Sequence, residues 1–271
     1  MGAATRESTA AAVGTLDDLL KPGLLGRRRA GSDEVGAELL AAARAVASSP
    51  QLTSVLADVG VAGKQKVELV RRVFGKAYDK RTVQVLESLA ASRWSEPGDL
   101  IDALEQLGIR AISLTADDVD LEGQLFALEG AVTSSPETEL ALGNTSAPVE
   151  ARVALVDRLL VNAAAPTQVL ARHLVQLPRG RRIVESLQEA QRRIADSRGG
   201  LIAVASAAQA LTPPQVKALE ERLAAAYGRK IVVNQVIDPA LIGGVRITIG
   251  DDVIDGTVRT RLDDLRLRLA G

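Results

Sequence analysis

Through most of the first 198 positions, apolar side chains return every three or four residues. Val35, Leu39, Ala42, Ala43 and Val46 make one such stripe. Val67, Val70, Val73 and Phe74 make a second, followed by Val83, Leu86, Leu89 and Ala90. An α-helix turns once in 3.6 residues, so this spacing gives each segment one apolar face and predicts amphipathic helices. Ala, Leu, Glu, Arg and Gln, all good helix formers, fill the rest. Breaks fall at Ser48-Ser49-Pro50, from Gly60 to Gly63 and at Glu96-Pro97-Gly98, where Pro and Gly punctuate the pattern.

The same order then returns. With the numbering advanced by 86, Leu39 meets Leu125, Val46 meets Val132, and Ser48-Ser49-Pro50 meets Ser134-Ser135-Pro136. Leu56 meets Leu142, while Lys66-Val67 and Leu69-Val70 meet Arg152-Val153 and Leu155-Val156. Val35–Phe74 and Leu121–Leu160 share 12 of 40 ungapped positions. A slip of one residue then pairs Thr82 with Thr167 and brings Leu86 beside Leu170. A repeat of roughly 85 residues is too long for a solenoid unit and fits a duplicated helical bundle. Thr115-Ala-Asp-Asp118 has the spacing of a helix cap and is expected to open the second copy. Ile183–Ser197 is expected to close it, stopped by Gly199-Gly200.

Beyond Gly200 the period changes. Leu201–Ala208 is apolar without helical spacing and reads as a buried strand. Thr212 with Pro213 and Pro214 starts a helix that runs to about Tyr227, and Gly228 ends it. Ile231–Ile237 and Ile242–Ile249 read as strands, the latter with Val245, Ile247 and Ile249 on one face. Gly250-Asp251 turns into a short strand at Val253–Ile254, and a terminal helix opens near Thr257, capped by Asp255 or Thr257. The predicted class is mainly α: two duplicated helical bundles, residues 1–115 and 116–198, followed by a small α/β domain, residues 199–271.

Composition narrows the chemistry. The chain holds 33 basic and 34 acidic residues, so no broad footprint for nucleic acid or anionic lipid is expected. Residues 200–271 hold 9 basic and 8 acidic groups, and residues 116–199 hold 9 and 12. The absence of cysteine excludes disulfides, thiolate metal sites and cysteine nucleophiles. One histidine, His173, cannot build a histidine metal site, and an aromatic content of 2% starves a stacking platform. No apolar run approaches the roughly 18 residues of a membrane span, and no signal-peptide core is present.

Motifs for catalysis are weak. Gly26-x-x-x-x-Gly31-Ser32 imitates a phosphate loop but has Ser32 where the lysine belongs, and no strand precedes it. Arg27-Arg28-Arg29 reads as a solvated turn. His173, beside the Leu170, Leu174 and Leu177 stripe, is expected at the surface or an interface rather than as a base. Asp117-Asp118 and Asp251-Asp252 sit where carboxylates cap backbone N–H groups. Gly243-Gly244 reads as a bulge or close backbone approach, and Trp94 as core before hot spot. No catalytic, cofactor or metal residue is assigned.

The segment from Ile237 to Leu262 resembles the signature of the ATP synthase delta subunit family, whose mitochondrial counterpart is the oligomycin-sensitivity-conferring protein. Asp238, Leu241, Gly243-Gly244, Gly250-Asp251, Ile254-Asp-Gly-Thr-Val258 and Arg261-Leu262 fall on that pattern, as do Leu211-Thr-Pro-Pro-Gln-Val216 and Tyr227-Gly-Arg-Lys230. Residues 116–198 resemble the family's helical bundle more weakly, and the extra bundle resembles the longer actinobacterial form. The resemblance implies a non-catalytic stator piece on the cytoplasmic face of the bacterial cell membrane, peripheral, and attached only through the complex. The implied partners are the N-terminal helices of the alpha subunits, gripped by a helical bundle, and the C-terminal end of the b subunit. Apolar stripes broader than one packing seam predict that a groove between the helices of one bundle, rather than a charged patch, takes the alpha helix.

For the b contact the expected elements are the Leu201 strand, the Ile231 strand and the helix from Thr257. The candidate interface residues are Asp255, Arg259, Arg261, Leu262 and Leu265. Capping and intramodule pairing are the alternative for Asp255. The isolated chain is expected to be a monomer. The rival reading is a helical-repeat adaptor with an α/β peptide-binding domain.

Overall fold

The computed structural model describes residues 2–21 and 32–258, so Arg27-Arg28-Arg29 and most of the Gly26–Ser32 motif lie outside the described residues. The chain divides into two compact units, one reaching Ile194 and one from Ala195 onward. The first unit opens with α1 (Ala3–Leu20), α2 (Ser32–Ala47), α3 (Pro50–Ala57), α4 (Gly63–Phe74), α5 (Lys80–Ala91) and α6 (Pro97–Thr115). It continues with α7 (Leu121–Thr133), α8 (Pro136–Gly143), α9 (Val149–Leu159), α10 (Ala165–Gln176) and α11 (Ile183–Ser197).

α2 to α5 recur as α7 to α10, and the repeat holds down to single hydrogen bonds. Ser49 caps α3 by accepting from the Leu52 N–H, and Ser135 caps α8 by accepting from the Thr138 N–H. Pro50 and Pro136 each take the first helical position, where no N–H is needed. Leu39 and Leu125, Val46 and Val132, Leu56 and Leu142, and Val70 and Val156 are all buried. Lys66 and its counterpart Arg152 are buried as well, and Arg152 Nη1 donates to the Val175 carbonyl at 2.7 Å.

α6 belongs to both copies. Its Leu100, Leu104 and Leu107 enter the first apolar core, while Ile109 and Ile112, further along, enter the second with Leu40 of α2. α2 and α6 approach closely enough to require glycine. A Cβ on Gly36 would meet Ile112 Cγ1 at 2.5 Å, and one on Gly108 would meet Leu40 Cδ2 at 2.6 Å. The two cores thus share a seam. This long helix also corrects the expected start of the second copy. Thr115 is the last residue of α6, buried, its Oγ1 donating to the Ala111 carbonyl at 2.8 Å. The cap of α7 is Asp120, which accepts from the Gly123 N–H.

The second unit is α/β. β1 (Gly200–Ala207), α12 (Pro213–Tyr227), β2 (Lys230–Ile237), β3 (Val245–Ile249) and β4 (Asp252–Asp255) follow in order. The sheet runs β2-β1-β3-β4, with β1 parallel to β2 and the other pairs antiparallel. Ala203, Ala205, Ile231, Val233, Ile247 and Ile249 make one buried face with Leu223 of α12. Gln215 caps α12 by accepting from the Thr212 N–H at 2.8 Å, and Gly228 ends it at φ +65°.

β3 begins at Val245 rather than Ile242, because Gly243-Gly244 makes a corner first. Gly244 has φ +82°, and a Cβ there would lie 2.4 Å from the Gly256 carbonyl oxygen. Gly256 N–H donates to Val245 O, and Val258 N–H to Gly243 O. The glycine pair is a close backbone approach.

Candidate functional site

The strongest concentration of charge lies in the seam between the two copies. Glu105 of α6 is 1% exposed and His173 of α10 is 0% exposed. Arg181 Nη2 donates to both Glu105 oxygens, at 2.9 and 2.8 Å, and Arg179 and Arg193 stand 3.7 and 3.8 Å from Oε2. Arg44 of α2 reaches His173 Nδ1 at 2.9 Å, and His173 Nε2 lies 3.3 Å from Glu105 Oε1.

Arginine can only donate, so Nδ1 must accept and the imidazole proton sits on Nε2, facing the carboxylate. A neutral histidine satisfies both contacts. Burial pushes the histidine's pKa down, against the opposing pull of Glu105. Burial alone would raise the Glu105 pKa, but the His173 hydrogen bond and the Arg181 charge hold it well below the usual carboxylate range.

The expectation of a surface or partner-facing histidine is therefore corrected, for His173 is sealed inside the helical unit. The Leu170, Leu174 and Leu177 stripe also divides. Leu170 and Leu174 join the second core, whereas Leu177 packs against the first. A perturbed acid beside a histidine is the usual mark of a catalytic pair. Here neither group reaches solvent, so the pair can hold helices together but cannot touch a substrate. Among the described residues, no three His, Cys, Asp or Glu side chains converge as a metal site would require.

One open feature among the described residues is a groove of about 790 Å³ in the second copy, between α8 and the α10–α11 turn. Leu142, Leu174, Val175 and Ile183 line it, with Leu140 at its mouth and Arg181 and Arg182 along one side. Leu140 is 73% exposed, which is costly for an aliphatic side chain left in water. Arg182 pairs with Glu139 across the groove. The sequence reading missed this place because α8 carries no strong helical stripe. One signal was available: Leu140 stands where the repeat register puts Ser54 in the first copy.

In the second unit, the elements expected to face a partner are unequal. β1 is central, with both edges paired, so only its faces are available. β2 is an edge strand, but Glu220 of α12 accepts its Val233 N–H at 3.1 Å, which blunts that edge. Asp255 accepts from the Thr257 N–H at 2.9 Å and from Arg246 Nε at 3.3 Å. Arg259, Arg261, Leu262 and Leu265 lie outside the described residues. Val253 and Ile254 of β4 and the neighbouring Ile242 and Val258 are exposed apolar side chains of the unit.

Residues 111–269 match the sequence profile of the family described as ATP synthase delta (OSCP) subunit. The chain belongs to that family. The matched span takes in the end of α6, the second copy and the α/β unit, which leaves most of the first copy outside the profile. Full-length delta relatives cover that copy too. The chain is similar to ATP synthase subunit delta of Leifsonia xyli subsp. xyli, 45% identical over 100% of both chains. It is also similar to ATP synthase subunit delta of Acidothermus cellulolyticus, 36% identical over 100% of both, and of Streptomyces coelicolor, 35% identical over 100% of this chain and 98% of that one. No helix among the described residues is long and apolar enough to cross a membrane.

Proposed function

We propose that this chain is a non-catalytic stator subunit of the F-type proton-translocating ATP synthase. It ties the N-terminal helices of the alpha subunits, on the catalytic head, to the C-terminal end of the b-subunit stalk. Proton flow turns the central shaft, and a head left untethered would turn with it. A clamp between head and stalk keeps the head still, so that shaft rotation is converted into ATP synthesis.

The observation that carries this reading is the family match across the second helical copy and the α/β unit, joined to full-length similarity with delta relatives. The chain supplies two kinds of surface. Its helical unit offers a groove that suits the apolar face of an amphipathic helix. Its α/β unit offers exposed apolar residues on and beside β4, next to Asp255, and we assign the b contact to Asp255, Arg259, Arg261, Leu262 and Leu265. Its place is peripheral, on the cytoplasmic face and attached through other subunits; no helix among the described residues is long and apolar enough to cross a membrane.

The test is a binding measurement with the full chain and two synthetic peptides, one from the alpha N-terminus and one from the b C-terminus. Simultaneous binding of both is expected. A folded chain that binds neither would leave a helical-repeat adaptor as the better account.

A further inference from the structure

The two copies match in their buried positions but differ in charge at one corner. Across residues 71–81, where α4 ends and α5 begins, the first copy carries five basic residues and one acidic, Asp79. The repeat register sets residues 157–166 of the second copy there, with one basic residue, Arg158, and one acidic, Asp157. Arg71 pairs with Glu87 at 2.6 Å, and Arg81 with Asp79 at 2.8 Å. Arg72, Lys76 and Lys80 are exposed, and among the described residues no carboxylate pairs with them. The Tyr78 N–H donates to the Phe74 carbonyl, so the turn is tight and the three cations stand around one corner.

Helix physics explains only part of this cluster. Cations in the last turn of α4 meet the negative end of its dipole, which accounts for Arg71 and Arg72. Lys80 is the first residue of α5, where a cation opposes the positive end, and no acidic residue stands in that first turn. The capping carboxylate, Asp79, is already engaged with the Arg81 N–H and guanidinium. Lys76 and Lys80 therefore add to a cluster that repels itself. The free chain holds these charges at a cost in stability, and the second copy forms the same helices without them.

The chemistry favours an acidic protein segment as the partner. A membrane surface needs apolar side chains to insert, but α4 spends Val70 and Phe74 in the core, and of its large apolar residues only Val73 is exposed. A nucleic acid needs a broader basic footprint and a free ring for stacking. Tyr78 is already stacked on Phe74, with ring centroids 5.3 Å apart, and the whole chain balances 33 basic residues against 34 acidic ones. A run of carboxylates can use the Arg72 guanidinium bidentately and both ammonium groups as point charges.

We propose that the α4–α5 corner of the first copy docks an acidic segment of a neighbouring protein through Arg72, Lys76 and Lys80. The assignment rests on the stator reading above, in which that neighbour is another subunit of the same complex. The second copy lacks the cations, so this contact belongs to the first copy alone.

The experiment is zero-length carbodiimide coupling on the purified complex, with the joined peptides identified by mass spectrometry. Lys76 or Lys80 should be found amide-bonded to an Asp or Glu of another subunit. Lys76→Glu combined with Lys80→Glu should raise the free chain's urea midpoint, by removing repulsion. The same pair should lower affinity for the complex stripped of this chain at least roughly tenfold and flatten its salt dependence. A purely structural role would move stability and binding in the same direction.

Coupling of these lysines only within the chain, or parent-like binding by the double variant, overturns the docking surface and leaves the stator reading standing. A lowered urea midpoint in the free variant assigns the cations to the fold, also against the proposal. A folded parent chain that does not bind the stripped complex overturns both readings. Retention of the isolated chain on phosphatidylglycerol vesicles or duplex DNA, abolished by the same two substitutions, would make the corner a general polyanion site and overturn the protein assignment.

Discussion

Glu38 and Gln124, 86 positions apart, make the same crossing between the second and fifth helices of their copies. Glu38 accepts from Thr82 Oγ1 at 2.5 Å and from the Asp79 N–H, and Gln124 accepts from Thr167 Oγ1 at 2.7 Å and from the Ala164 N–H. Each acceptor thereby caps the start of the fifth helix and ties its first turn to the core. Both threonines are wholly buried, so removing either hydroxyl leaves its acceptor one donor short, with only the backbone N–H remaining. Thr82→Val and Thr167→Val should each cost about 1–3 kcal/mol in urea unfolding. Glu38→Gln should cost clearly less, because the second copy already uses the amide in that place. Equal losses from Glu38→Gln and Thr82→Val would show that charge, not hydrogen bonding, does the work.

The repeat was legible because the features that define it are local. A Ser-Ser-Pro breaker is a cap plus a first-turn proline, and buried Leu and Val positions follow helical spacing. The second unit was legible for the same reason: the capping residues, the glycine stop and the alternation in β3 each depend on near neighbours. What stayed hidden depends on long-range contacts. Nothing around Thr115 reveals that α6 continues through it, since the residues that bury it come from elsewhere in the fold. His173 sits on an apolar stripe like any flanking polar residue, and its burial follows from Glu105 and Arg44, 68 and 129 residues away. The groove needed a comparison of the two copies at Ser54 and Leu140, a difference that a search for likeness passes over.

His173 is the chain's one histidine, so it dominates side-chain proton uptake between about pH 5 and 7. Its folded pKa lies below its ordinary value because burial disfavours the cation. Below about pH 6.5, the unfolded chain therefore takes up a proton that the folded chain refuses, and stability falls with pH. Glu105 acts in the same direction lower down. Burial opposes ionisation, but the His173 contact and Arg181 win, so its stabilising share is lost as pH drops from about 4.5 toward 2. Calorimetry from pH 7 to 5 should show Tm falling in the parent chain and a flatter profile in His173→Gln, whose amide can accept from Arg44 and donate to Glu105. Identical profiles would mean that His173 protonates in place without cost.

Removing the charge of Glu105 should be more damaging than removing the histidine's titration. Glu105→Gln leaves Arg181, Arg179 and Arg193 beside a neutral amide in a largely buried seam. Breaking a buried pair from one side costs about 3–5 kcal/mol. The loss should appear at neutral pH as a lowered urea midpoint. If Glu105→Gln is instead neutral, the arginines turn out to solvent and the seam is held by apolar packing alone.

Two glycine substitutions should have opposite signs. Gly244 combines φ +82° with a Cβ position 2.4 Å from the Gly256 oxygen, so Gly244→Ala strains the backbone and collides with it. A destabilisation of more than about 2 kcal/mol is expected, read as faster amide exchange in β1 and β3. Gly130 lies within α7 with open space where a methyl group would project, and its helical backbone suits alanine. Gly130→Ala should raise stability by about 0.5–1 kcal/mol. A gain from Gly244→Ala would show that the corner before β3 relaxes freely, contrary to the backbone hydrogen bonds at Gly243 and Gly256.

Trp94 offers a direct test of the shared seam, because it is the chain's one tryptophan and lies in the first core. Its indole is buried and hydrogen-bonded, so emission should be blue-shifted and poorly quenched by iodide. The question is what unfolds with it. α6 gives Leu100, Leu104 and Leu107 to the first core and Ile109 and Ile112 to the second, and Leu40 crosses the other way. A helix cannot leave one core without exposing its residues in the other. The two copies should therefore lose structure in one transition, with Trp94 emission and amide protection of α7 and α10 changing at the same denaturant concentration. If Trp94 reports unfolding while α7 and α10 stay protected, the copies are separate domains. The duplication would then have added a neighbour rather than enlarged one body.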